Sequence, residues 1–355
     1  MTSTWDATRF RADVQHALDA FVDDQAARLE PLGDDAARLV AAARSAVTGG
    51  KRFRAAFCHW GFRAVQPEVP DPAALHRAAA SLELLHASAL VHDDLMDASD
   101  TRRGRPAMHT AFEARHRESR WAGDPGQYGA AAAILLGDLL LCWSDELLRT
   151  CGVDTAAAER ALGFFDTARS EVITGQFLDV SVQARGASDV EQAMRVLRYK
   201  SAKYSVERPL HVGAALAGGE PEVLAGLTRF GLPLGEAFQL RDDLLGVFGD
   251  PAETGKPAGD DLTDGKRTVL VALALQGASG ADAERLDASL GTALDDTEVA
   301  GLRRIIEVSG AHAEVERRID ALTRESLAAL DEAPVSDLAR GVLRELAASA
   351  TQRTI

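Results

Sequence analysis

The residues best suited to chemistry in this chain are acids set one helical turn apart. His92-Asp93-Asp94-Leu95-Met96-Asp97 carries Asp93 and Asp97 at i,i+4, so on a helix their carboxylates share one face. Taken alone, such a pair reads as a solvated acidic surface. Here the run before it, Ser81 to Val91 (SLELLHASALV), is apolar, so the acids emerge from a buried stripe. Arg102 and Arg103 follow at the same end. Two like charges held together call for a cation, and oxygen-only ligation suits a hard ion such as magnesium. A second pair, Asp242-Asp243, closes another apolar helix in FQLRDD, residues 238–243. Two such helix ends can face each other across a bundle. Counter-charge is supplied by GGKRFR at 49–54, Lys200, Lys256 and Lys266-Arg267. The pattern fits a magnesium-bridged polyphosphate, because magnesium binds through one or two carboxylates plus substrate phosphates. Arginine adds bidentate contacts to the same oxygens. A P-loop is excluded: Gly255-Lys256 runs into Pro257, and Asp250 stands where that motif needs its first glycine.

These groups must be held by helices. Of the 355 residues only 5% are aromatic, and the apolar share of 46% is rich in Ala and Leu, both good helix formers. Periodicity and punctuation predict helices over 6–30 and 34–48, then a long one from Pro70-Asp71-Pro72 to about Asp100. A short helix and a loop are expected over 105–127, then helices at about 128–150, 155–183, 189–218 and 221–248. Gly249 to Gly265 holds four Gly and two Pro and reads as a loop, with helices resuming from Lys266. No fixed-period repeat and no Pro- or Ser-rich linker divides the chain, so one all-α domain over 1–355 is expected.

Composition narrows the function classes. Thirty-nine basic against 54 acidic residues give a net charge of −15, which argues against nucleic acid as a partner. The three cysteines, Cys58, Cys142 and Cys151, form no CxxC pair and suit a reducing compartment. The stretch MTSTWDATRFRADV has no apolar core for a signal peptide. The apolar run from Ala130 to Trp143 is broken by Gly137-Asp138 and is too short to span a bilayer. A cytoplasmic protein with no stable membrane insertion is therefore expected.

Ordered along the chain, these segments resemble the trans-isoprenyl diphosphate synthases, the polyprenyl synthetase family. DDLMD at 93–97 looks like the first aspartate-rich motif, followed by the Arg102-Arg103 pair. GGKRFR resembles GGKRxRP with Ala55 in place of Pro; GQFLD at 175–179 resembles GQxxD; Lys200-Ser201 resembles a Lys-Thr pair. FQLRDD looks like the start of the second aspartate-rich motif, and Lys256 and Lys266 match later lysines. The likeness runs from about Gly49 to Thr268. One position departs from it: where DDxxD is usual, the chain reads Asp242-Asp243-Leu-Leu-Gly246, and the next acid on that line is Asp250.

The resemblance implies the isoprenoid synthase fold, a single large bundle of roughly a dozen helices around a central cavity. It implies condensation of isopentenyl diphosphate with allylic diphosphates, three magnesium ions, and a homodimer. Isopentenyl diphosphate would be held by Lys51, Arg54, His86 and Arg103, and the allylic diphosphate by Arg102, Lys200 and Lys256, with Lys266 at the mouth. Asp93, Asp97 and Asp242 would serve the ions, with Asp94 and Asp243 beside them. Ser201 and Gln239 would offer dipoles near the allylic carbon, while Gln176 and Asp179 would orient Lys200. A stripe on the first acidic helix (Ala89, His86, Leu82, Ala79, Leu75) would guide the growing chain. Small Ser88 and Ala89 then point to geranylgeranyl diphosphate as product, with farnesyl or longer products as alternatives. A different class, a ferritin-like di-metal bundle, rests on Glu83–His86 and Glu113–His116. A terpene cyclase would need an N-D-x-x-S-x-x-x-E type motif, which is absent near Asp242.

Overall fold

Aspartate N-caps and prolines at the first helical turn set the starts of several helices. A computed structural model of the chain describes residues 5–102, 104–186, 189–250 and 259–352. In α4 (Pro72–Met96) the Asp71 side chain accepts from the Ala74 amide, and in α6 (Pro125–Arg149) Asp124 accepts from Gln127. Each cap satisfies an orphan donor, while the proline that follows lacks only an N–H with no helical partner. Asp6 caps α1 (Ala7–Leu29) and Asp154 caps α7 (Thr155–Arg185) in the same way. Helix α2 spans Asp34–Ala46. These bounds agree with the sequence periodicity to within a few residues.

Helix α3 (Phe53–Val65) is one that periodicity passes over. Every residue from Ala55 to Phe62 is buried, so the helix has no polar face to reveal a 3.6-residue repeat. α4 is nearly as enclosed and packs against α1, α3 and α6. The segment 105–127 contains one short helix, α5 (Met108–Ser119). Between α4 and α5 a small hairpin pairs Thr101–Arg102 with Arg105–Pro106, the one sheet among the described residues.

The expected single helix over 189–218 is three segments. α8 (Val190–Val196) passes into a π-helical stretch, Leu197–Glu207, and then into α9 (Arg208–Leu216). Long π-helical stretches are rare and concentrate at functional sites. This one sets Lys200, Ser201, Tyr204 and Ser205 on a cavity wall. Helix α10 (Pro221–Phe248) then runs through both apolar cores. Leu227, Phe230 and Leu234 belong to the core built with α1, α3, α4, α6 and α9. Ala237, Leu240, Leu244 and Val247 belong to a second core built with the helices Val269–Gly277 and Asp296–Val308. No described helix is long and apolar enough to cross a membrane.

Candidate active site

A cavity of about 1200 Å³ is walled by α3, α4, α6, α7, the π-helical stretch and α10. That exceeds the roughly 300–1,000 Å³ of an ordinary ligand pocket. Asp93 reaches it from the last turn of α4, while Asp97, the C-cap of that helix, is buried behind the wall. Lys200 Nζ lies 3.0 Å from Asp93 Oδ1 and 2.5 Å from Asp179 Oδ2, tying α4 to α7 through the π-helical stretch. The motif glycine Gly175 makes this possible: a Cβ there would lie 2.5 Å from the Tyr199 carbonyl carbon and 2.7 Å from Lys200 Cα. Lys266 Nζ in turn lies 3.5 Å from Asp97 Oδ2, 3.3 Å from Asp261 Oδ1 and 3.4 Å from Asp264 Oδ2.

These pairings set the protonation states. Burial alone would raise Asp93, but the charges of Lys200, Lys266 and Arg102 hold it well below the usual carboxylate range. Burial and the neighbouring Asp93 charge push Asp97 up to about 6. Burial disfavours charged Lys200 and Lys266, yet their carboxylate partners keep both ammonium groups well above the ordinary lysine range. Asp243, fully enclosed and facing Asp261, is pushed up to about 8.

Three expected roles change. Asp94 is buried and its carboxylate is taken by Arg102, whose Nε donates to Oδ1 at 2.7 Å, so Asp94 holds an arginine and not an ion. Gln176 does not orient Lys200; its amide donates to Asp93 Oδ1 at 3.0 Å. The guiding stripe also differs, because Leu82, Ala79 and Leu75 are locked in the core. The α4 residues that line the cavity below Asp93 include Leu90, Ala89, Ser88, His86 and Leu85.

On the α3 side of the cavity, Arg54 donates to Ser205 Oγ at 2.7 Å and lies 4.2 Å over the Tyr204 ring. His86 Nδ1 shares a 3.1 Å hydrogen bond with the Tyr204 hydroxyl. Arg54 Nε is buried with no hydrogen-bond partner. Tyr204 therefore joins Arg54 and His86, a role that one aromatic in a helical run does not disclose. Lys51, Ser201, Asp242 and Gln239 line the same cavity, and Gln239 donates to Asp243 Oδ1 at 2.9 Å. Arg103 and Lys256 lie outside the described residues. Asp138 also faces the cavity and lies 3.7 Å from His92 Nε2, which in turn bonds the Ile134 carbonyl.

The donor set fits magnesium. Asp97 Oδ2 is buried without a hydrogen-bond partner, the kind of oxygen a cation would satisfy. Among the described residues no three His, Cys, Asp or Glu side chains converge on one point. That suits an ion completed by phosphate oxygens and water, as magnesium sites usually are. The ferritin-like pattern fails on contacts: Glu83 binds Arg52 and the Ala55 amide, and His116 bonds the Ala122 carbonyl.

The family model for polyprenyl synthetase matches residues 36–308. The chain belongs to the polyprenyl synthetase family. A geranylgeranyl pyrophosphate synthase from Corynebacterium glutamicum, solved with isoprenyl diphosphate and magnesium, shares 43% identity and a TM-score of 0.96 over 99% of this chain and all of that one. A geranylgeranyl diphosphate synthase of Mycobacterium tuberculosis is 32% identical over 290 residues, 81% of this chain and 77% of its own. A (2E,6E)-farnesyl diphosphate synthase of Mycobacterium bovis is 33% identical over 308 residues, 83% of this chain and 79% of its own. The likeness to that solved structure covers nearly the whole chain and so reaches beyond the matched segment.

Proposed function

We propose that this chain condenses isopentenyl diphosphate with allylic diphosphates and carries the product to geranylgeranyl diphosphate. The observation that carries the proposal is a single cavity holding both acidic motifs beside Lys200 and Lys266, with a separate Arg54–His86–Tyr204 cluster. One cavity then has two places for diphosphate, which a cyclase does not need. The two named geranylgeranyl relatives support the product assignment, as do small Ser88 and Ala89 below Asp93.

Asp93, Asp97 and Asp242 would hold the magnesium ions, three of them with diphosphate bound, and Lys200, Lys266, Arg102 and Lys256 the allylic diphosphate. Lys51, Arg54, His86 and Arg103 would hold isopentenyl diphosphate. Magnesium, when bound, neutralises charge on the departing diphosphate. Lys200 and Lys266, already positioned by carboxylates, stabilise the same developing charge with little reorganisation. The allylic C–O bond breaks with its electron pair on diphosphate. The isopentenyl double bond then forms the new C–C bond, and a proton leaves to the released diphosphate. Ser201 and Gln239 offer oxygen dipoles beside the transient cation. The apolar walls from α4, α6 and α7 exclude water that would otherwise capture it.

A homodimer is part of this reading. Ile134 and Leu135 on α6 are exposed apolar side chains of the kind a second copy would cover. Sedimentation of the purified protein checks this. The activity is tested by supplying magnesium, isopentenyl diphosphate and, separately, dimethylallyl, geranyl or farnesyl diphosphate, then separating the dephosphorylated products. Twenty-carbon product is expected. Failure to elongate any primer would end the proposal.

A further inference from the structure

We infer that Asp261 supplies the third carboxylate of the second acidic site, and that glycine at 246 is what admits it. The inference rests on the diphosphate–magnesium reading of the cavity. Asp242 and Gly246 are one turn apart on α10, so a side chain at 246 would share the face of Asp242. Gly246 has none, and its place is taken. A Cβ built there would lie 2.5 Å from Asp261 Cγ and 3.1 Å from Oδ1. The Asp261 carboxylate therefore fills the volume in which an acid at 246 would begin.

The acid that sequence spacing offers as a substitute does not serve. α10 ends at Phe248, Gly249 is extended, and Asp250 is exposed and off the cavity wall. Asp261 comes instead from the short helix Asp260–Thr263, which packs against α10. That helix is anchored by fully buried Leu262, whose carbonyl accepts from the Gly265 and Gly291 amides. Lys266 fixes Asp261 twice, its amide donating to the Asp261 carbonyl at 3.0 Å and its Nζ lying 3.3 Å from Oδ1. The same Nζ is 3.5 Å from Asp97 Oδ2, the buried oxygen without a hydrogen-bond partner. Asp261 is thus directed at the first acidic motif across the cavity, as an acid completing the second site must be.

A carboxylate that only pairs Lys266 would give the same contacts, so the test moves the acid. Manganese binding in the presence of inorganic diphosphate is measured by electron paramagnetic resonance on the full chain, with circular dichroism and melting as fold controls. Asp261→Asn, nearly isosteric, is expected to weaken manganese binding at least tenfold, in the range seen when groups supporting a metal site are removed. Asp250→Asn is expected to leave it unchanged. The double variant Gly246→Asp/Asp261→Ala returns the acid to α10 and is expected to regain affinity to within a few-fold. Lys266 pairing alone would not give that rescue. Unchanged binding in Asp261→Asn, or a folded double variant with no recovery, overturns the inference while leaving the diphosphate–magnesium site standing. A wild-type protein that binds no manganese with diphosphate overturns both.

Discussion

Ala89→Phe should shorten the product by one isoprene unit. Ala89 lies one turn below Asp93 on α4, about 6 Å, and Leu85 two turns below, about 12 Å. Both line the cavity. An extended hydrocarbon advances roughly 1.2 Å per bond, so one isoprene unit occupies about 5 Å. The main chains of the fifteen- and twenty-carbon products then span about 14 and 19 Å. Either overruns Leu85, so the end of the tail must leave α4 along the α6 and α7 walls, where Leu141, Val172 and Ile173 are available. A phenyl group at 89 projects about 4 Å beyond the alanine Cβ, nearly the length of one unit, and it intrudes before that turn. The assay is reverse-phase chromatography of dephosphorylated products from the wild type and the variant under the same primer. The main product should move from twenty to fifteen carbons with turnover within a few-fold, because Ala89 holds no diphosphate. Retention of the twenty-carbon product, or a wild type that stops at fifteen or runs well past twenty, would refute this account of the cavity.

Asp93→Ala and Asp97→Ala should each lower kcat by roughly a hundred- to a thousand-fold, as removal of one preorganised electrostatic group does, while far-ultraviolet circular dichroism stays unchanged. Asp242→Ala should cost far more activity than Asp250→Ala, since Asp242 lines the cavity and Asp250 does not; equal losses in steady-state assays would contradict the end of α10 at Phe248. Stability should fall with acid through His59, which burial, together with His76 and Arg63, pushes down to about 3. The neutral ring is favoured in the fold, so its contribution is complete above pH 6.5 and shrinks as the unfolded chain takes up the proton below that. At 1.36 kcal/mol per unit the loss is about 2 kcal/mol at pH 5. Chemical denaturation of wild type and His59→Gln at pH 7.5 and 5 should show that difference in slope.

Much of this site was legible because its chemistry is local in sequence. Asp93 and Asp97 share a helix face by spacing alone, and an apolar lead-in announces that the face is buried. The Asp179–Lys200 pairing was also foreseen, although the reason for Gly175, close approach of α7 to the backbone at Lys200, appears only in three dimensions. What stayed hidden depends on backbone geometry or distant contacts. A helical periodicity cannot signal the π-helical stretch that turns Lys200 and Tyr204 inward. It cannot signal α3 either, since a helix buried on all sides has no alternation. Asp94 matched the motif by letter, but its neighbour on the hairpin, Arg102, decides its role. Asp261 lies 15 residues beyond the gap it fills, and only the fold brings it there.

The charge arrangement carries one further consequence for how such a site can work in a chain of net charge −15. Lys200 and Lys266 are each shared among carboxylates: Asp93 and Asp179 for one, Asp97, Asp261 and Asp264 for the other. Two ammonium groups cannot neutralise five carboxylates and still attract a polyanion. Diphosphate alone should therefore bind weakly, opposed by the acids that hold the lysines in place. On the proposed reading, divalent cations would reverse the sign: held by Asp93, Asp97 and Asp242, they would cancel those acids and leave the lysines and Arg102 to face the phosphates. Metal and diphosphate then bind with positive coupling, each raising the affinity of the other by the same factor. Isothermal titration should accordingly find inorganic diphosphate binding that is strongly magnesium-dependent at the acidic motifs. A diphosphate affinity unmoved by magnesium would show that the lysines, not the ions, dominate the field.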